Sequence, residues 1–238
     1  MQELRIKALA TATFVAAVAA CSAPGSTPPP GGAPNNGSSG TNPNSSQDAG
    51  PVSLPFVVSD EFFPSGFMGD SPTDFNAIQA SSDASKCPAR VAGAVGSCYS
   101  FTWTPQRVGD AGSSWVGVYW QYPSNNWGAQ PGLSIKPGAT KVTFTAAAKT
   151  DGVVAKFISG GVNYPIPTAG IANADTYESD ISPTLTTSWQ PFEISLSGDS
   201  YTSVIGGFAW SITTSSTDPI TFYVDNIQWE NTPDDAGE

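Results

Sequence analysis

An antiparallel β-sandwich is the fold this sequence predicts, on three observations. Apolar residues recur at every second position in short segments. Turn residues separate those segments, with 24 Gly and 21 Pro among 238 residues. No stretch carries the period of an amphipathic helix. Eight segments have the strand pattern: 56–58, 98–103, 115–122, 141–148, 153–158, 191–196, 204–212 and 220–229. Val142, Phe144, Ala146 and Ala148 alternate with Thr143 and Thr145, and Phe192, Ile194 and Leu196 alternate with Glu193, Ser195 and Ser197. Each such strand buries one face. Residues 52–231 therefore form one all-β domain of eight or nine strands without a convincing helix, large enough for one core and too small for two. A jelly roll and an immunoglobulin-type sandwich are the main candidates.

The two ends of the chain have a different character. Arg5 and Lys7 precede an Ala/Val-rich apolar run over 8–20, too short for a permanent membrane span, so residues 1–20 read as a cleaved export signal. The run ends Val18-Ala19-Ala20-Cys21, which resembles a bacterial lipobox. The resemblance implies a lipoprotein signal peptide and lipidation at Cys21. Ser22 stands where a retention signal would place Asp, which points to the outer membrane, at the cell surface or its periplasmic face. Residues 21–51 are almost wholly Ser, Gly, Pro, Asn, Thr and Ala, with no apolar face to bury. Such a flexible linker has a reach on the order of 30 Å, enough to hold a domain clear of lipid headgroups. Residues 232–238 form a short acidic tail.

Composition then narrows function. The chain has no His, 9 basic and 20 acidic side chains, and a formal charge of −11. Without imidazole there is no Ser-His-Asp or Cys-His nucleophile and no His metal ligand. Such an excess of acid argues against nucleic acid, whose phosphates are held by Lys and Arg. Once lipidation takes Cys21, Cys87 and Cys98 remain, and an exported chain leaves such a pair oxidised. No third Cys completes a zinc site.

A cluster of aromatic and amide side chains carries the functional reading. Stacking on the apolar face of a pyranose needs flat rings, and its hydroxyls need Asn, Gln, Asp or Arg. Tyr119, Trp120, Gln121, Tyr122, Asn125, Asn126 and Trp127 supply both within nine positions. In an extended strand Trp120 and Tyr122 share one face, and Tyr119 and Gln121 share the other. If Val116 and Val118 point inward, Trp120 and Tyr122 do too, which exposes Trp115, Tyr119 and Gln121. Trp127 sits on a polar loop whichever face is buried. The stacking candidates are therefore Trp127 and Tyr119, then Trp120. Trp103, Trp189, Trp210 and Trp229 lie among apolar neighbours and are expected to pack in the core or at strand ends. Gly206-Gly207 before Phe208 suggests a bulge or close backbone approach.

The stretches 115–128, 138–144, Thr187-Ser188-Trp189-Gln190 through Leu196, and Phe222-Tyr223-Val224-Asp225-Asn226-Ile227 are similar to the galactose-binding-like jelly-roll group, to which many carbohydrate-binding modules belong. The resemblance implies a monomeric, non-catalytic domain that binds a poly- or oligosaccharide. It also implies a structural Ca2+ held by Asp60 or Glu61 and by Asp225, while Asp70 lies in a Gly-rich turn that approaches the same region or a binding loop. Equally open is that Asp60 and Glu61 cap a strand and Asp225 satisfies buried amides. A structural or adhesion lipoprotein with a protein partner is the first alternative function. A glycoside hydrolase is the second: Tyr177-Glu178-Ser179-Asp180-Ile181 resembles the catalytic strand of laminarinase-type hydrolases, yet Pro183 stands where a second Glu belongs.

Overall fold

The computed structural model describes residues 50–106, 112–165 and 168–231. The export signal, Cys21, nearly all of the linker and the acidic tail lie outside the described residues. The elements are β1 (Phe56–Val57), α1 (Val58–Glu61), β2 (Phe63–Gly69), α2 (Pro72–Asn76), β3 (Ile78–Ser81), β4 (Tyr99–Trp103), β5 (Ser114–Gln121), β6 (Leu133–Ser134), β7 (Lys141–Ala148), β8 (Val153–Val154) and β9 (Lys156–Gly160). They continue with β10 (Glu178–Ile181), β11 (Thr184–Leu185), β12 (Gln190–Ser195), β13 (Ser203–Val204), β14 (Gly206–Thr214) and β15 (Ile220–Glu230). One sheet runs β12-β7-β15-β4-β3, with β1 added on β15, and the other runs β10-β9-β14-β5-β2. Every pairing between these strands is antiparallel.

Alternation decides which side chains lie between the sheets. On β7, Val142, Phe144, Ala146 and Ala148 are buried while Thr143 and Thr145 are half-exposed. On β5, Val116, Val118 and Trp120 are fully buried and point the same way. Rings from both sheets interlock: Phe101 meets Trp120 at 5.5 Å and Trp210 at 5.0 Å, and Phe144 meets Phe157 at 4.7 Å. Truncating one of these fully buried rings to Ala costs about 3–5 kcal/mol. Trp103, Trp210 and Trp229 belong to this core. Trp189 is half-buried instead, at the surface, where its indole N–H donates to the Ala89 carbonyl at 2.9 Å.

Three features differ from the sequence reading. The segment 153–158 is split between β8, which pairs with β11, and β9, which pairs with β14 and β10. β2, β3, β6, β10 and β11 are additional strands, and α1 and α2 are short helices of four and five residues. Pro at the first turn and the Ser71 side chain, which accepts from the Asp74 N–H, start α2. The bulge expected at Gly206-Gly207 is present, with β14 shifting register against β5 there. A Cβ on Gly207 would lie 2.6 Å from the Phe62 ring, so only glycine lets that ring close on the backbone.

Candidate functional site

The outer face of the second sheet is where exposed aromatic and polar groups converge. Its floor is small: Gly117 on β5 is paired with Ser211 on β14, and Tyr119 on β5 with Ala209, which pairs in turn with Ile158 on β9. Met68 on β2, opposite Gly117, bounds one side, and Trp115 is half-buried two residues along β5 from Gly117. Across β9 and β10, Lys156 pairs with Glu178 at 3.2 Å and with Asp180 at 3.0 Å. Glu178 and Asp180 project to one side because they are two residues apart on a strand.

Two loops are joined over this face. Tyr119 is 6 % exposed and packs with Ile158, Val162, Ile205 and Ala209. Trp127, at 41 % exposure, stands edge to face on Tyr119 with ring centroids 6.0 Å apart. Its position is fixed through the backbone, because the Asn163 amide donates to the Trp127 carbonyl at 2.9 Å and to the Asn173 carbonyl at 3.1 Å. Asn173 closes the same seam, donating from its side chain to the Gly128 carbonyl at 3.1 Å. Gly161, at φ +94°, lets the loop pass close over the polar groups: a Cβ there would be 2.9 Å from both the Tyr119 hydroxyl and Glu178 Oε2. Burial, helped by the negative charges of Glu178 and Asp175, raises the Tyr119 pKa, so this phenol stays protonated as a hydrogen-bond donor.

Asp175 bolts the second loop to the sheet. Its carboxylate accepts from Ile205 N at 2.6 Å, Val162 N at 2.9 Å and Gly206 N at 3.2 Å. Burial nevertheless outweighs these three amides and pushes its pKa up to about 6.

The other expected site residues occupy distinct positions. Trp120 is fully buried between the sheets, so it cannot reach a ligand. Gln121 faces the same side as Tyr119 but is also fully buried, lying where a Cβ on Gly66 would be and accepting from the Ser65 hydroxyl at 3.2 Å. Tyr122 is half-buried with its edge toward Phe62 at 6.3 Å. Asn126 is 3 % exposed and is a loop bracket: its amide donates to the Tyr122 and Gln130 carbonyls while its oxygen accepts from Gly128 and Gln130 N–H. Asn125 is exposed at the loop tip, and its backbone N–H donates to the Ser65 hydroxyl at 2.8 Å. Lys156, Glu178 and Asp180 were not among the expected ligand-binding residues. The Glu178-x-Asp180 spacing was the signal for them, though only strand pairing brings it beside Tyr119.

The expected metal ligands do not fit a calcium site. Both oxygens of Asp225 accept from Arg90, at 2.6 and 2.7 Å. Asp60 is exposed, and burial together with Asp60 raises the pKa of half-buried Glu61. Among the described residues no group of three or more His, Cys, Asp and Glu could hold a metal ion. The Asp70 carboxylate is engaged by the backbone, accepting from Trp115 N at 2.9 Å across the β2–β5 pair. Cys87 and Cys98 form a disulfide.

No family model and no curated protein matches the sequence. Among solved structures, the chain is similar to the family 11 carbohydrate-binding module of the cellulosomal cellulase Lic26A-Cel5E of Clostridium thermocellum. The TM-score is 0.39 and the identity 15 %, over 72 % of this chain and 90 % of that one. The family 11 module from the same organism in complex with a β-1,3-1,4-mixed-linked tetrasaccharide gives a TM-score of 0.41 at 14 % identity, over 75 % and 95 % of the two chains. A family 30 carbohydrate-binding module gives 0.42 at 14 %, over 75 % and 99 %.

Proposed function

We propose that this protein is a surface-tethered, non-catalytic carbohydrate-binding lipoprotein, anchored through Cys21 and recognising a neutral poly- or oligosaccharide on the outer face of the β10-β9-β14-β5-β2 sheet. One observation carries the reading: Trp127 is exposed, held through its backbone by Asn163, and stands edge to face on Tyr119, on the sheet face that also carries the Lys156–Glu178–Asp180 cluster. A large aromatic held at the surface without a core to fill is suited to contact a ligand. The adjacent donors and acceptors are those that sugar hydroxyls need, and the ammonium of Lys156 offsets part of the carboxylate charge, so no excess of positive charge calls for an anionic ligand. Lys156 bridges Glu178 and Asp180, engaging both carboxylates at once, which speaks for a recognition role over an acid and base pair.

The test is binding of the chain produced from Ser22, without its lipid, to a panel of soluble and insoluble polysaccharides with product analysis. Retention on one glycan class without released sugar supports the proposal. Released sugar would replace it with catalysis, and no retention on any glycan would replace it with a structural or protein-binding role.

A further inference from the structure

The strongest feature outside the glycan face is a cage of oxygen atoms around a side-chain cation. The cage is built on the bulge of β15, where the register against β7 shifts between Asp225 and Gln228 and Asn226 takes φ +56°. Asp225 is fully buried there. Arg90 enters from the disulfide loop between Cys87 and Cys98. Its Nε donates to Asp225 Oδ2 at 2.7 Å, and its Nη2 donates to Asp225 Oδ1 at 2.6 Å and to the Val95 and Gly96 carbonyls at 3.0 Å each. One guanidinium therefore meets two carboxylate oxygens and two backbone carbonyls, the donor chemistry that otherwise suits a hard divalent cation.

The surrounding contacts hold the loop so that the arginine cannot be a casual surface partner. Asn226 N donates to Asp225 Oδ1 at 2.7 Å, and the Asn226 side-chain oxygen accepts from Val95 N at 2.9 Å. Ser97 N donates to the Ser59 hydroxyl at 3.1 Å, tying the far end of the loop beside α1. The near end is held by the Trp189 indole on the Ala89 carbonyl. The Arg90 side chain is 30 % exposed and that of Asp225 is 1 % exposed, so the acid is the buried partner and depends on the arginine for its charge balance.

We propose that Arg90 is the resident cation of this cage, so that the sandwich is fastened at the β15 bulge by a residue of its own loop and needs no calcium. A protein wired this way keeps its fold in calcium-poor surroundings, and its fastening depends on the oxidised loop that carries Arg90.

Thermal unfolding of the chain from Ser22, in excess calcium and in chelator, tests this together with calorimetric titration of calcium. The expected result is one Tm in both solutions and no binding heat. A calcium site filled to a hundred times its Kd would raise Tm by about 5–10 °C, and such a rise would overturn the proposal. Arg90→Ala is expected to lower Tm by roughly 10 °C and to speed amide exchange over 87–98, because it leaves a buried carboxylate unpaired. Arg90→Ala with Asp225→Asn is expected to lose less than Arg90→Ala alone, since no unpaired charge remains. Losses that simply add would overturn the pairing. If Arg90→Ala does not fold, Arg90→Lys keeps the charge without the fork, and a Tm equal to the parent's would equally overturn it.

Discussion

The indole of Trp127 meets the ring of Tyr119 edge to face, with planes at 79° and centroids 6.0 Å apart. Tyr119 is fixed by its strand and Trp127 by the Asn163 and Asn173 seam, so the exposed ring is presented without depending on the core. Trp127→Ala should therefore abolish most glycan binding while leaving the fold intact. Loss of an aromatic anchor costs about 2 kcal/mol, roughly thirtyfold in Kd. The Tm should move by only a few degrees. Calorimetry with the retained glycan and a thermal melt separate the two effects, and unchanged affinity would remove Trp127 from the site.

Asp175 links this face to pH. Burial raises its folded-state pKa to about 6. An unfolded Asp titrates near 3.9, at roughly pH 4. Between these values the folded chain holds a proton that the unfolded chain has released, so the contribution to stability falls as pH rises from about 4 to 6 and is flat beyond. The full loss is on the order of 3 kcal/mol. Asp175→Asn cannot titrate, and its amide would confront one of the three backbone donors, so it is less stable than the parent at pH 4. The difference in Tm between parent and variant should narrow across that window. A difference that stays constant from pH 4 to 7 would show that Asp175 does not titrate there.

Apart from β3, the strands of the first sheet were legible because period two is strong where one face is buried, as in β7 and β12. β2 was not, because Pro64, Gly66 and Gly69 read as a turn, yet its backbone pairs with β5 across a register shift. The site was legible in part for the same reason. Val116 and Val118 point inward, which fixes the faces of Tyr119 and Trp120 from local sequence alone. The burial of Gln121 depends on Gly66, and the cluster of Lys156, Glu178 and Asp180 depends on β9 pairing with β10. Such contacts arise from topology, which no local period encodes. Arg90 was hidden likewise, since its partner Asp225 is 135 residues away.

The Cys87–Cys98 bond closes the loop that delivers Arg90. In the chain-entropy account a loop of this length stabilises by about 3 kcal/mol. Reduction should lower Tm by roughly 6–12 °C. In Arg90→Ala the same reduction should cost less, because the loop then no longer holds the four arginine hydrogen bonds in place. Melts of both chains with and without reductant measure the difference. Equal losses in the two would mean that the disulfide and the arginine act independently.

Lys156 is about one-third exposed, as are its partners Glu178 and Asp180, so these pairs add little to stability, within about 1 kcal/mol. Their value lies in what they present to a ligand. Lys156→Met leaves two carboxylates adjacent on one face without a counter-charge, and the hydrogen bonds they offer to hydroxyls become disordered by mutual repulsion. Glycan affinity should fall by roughly tenfold with Tm nearly unchanged, consistent with loss of about 1.4 kcal/mol of binding. For the parent, binding of a neutral glycan should change little with ionic strength, since no counterions are released on association. Titrations at low and high salt check this. A steep weakening with salt would identify a charged partner and shift the role of this face from sugar stacking to ionic recognition.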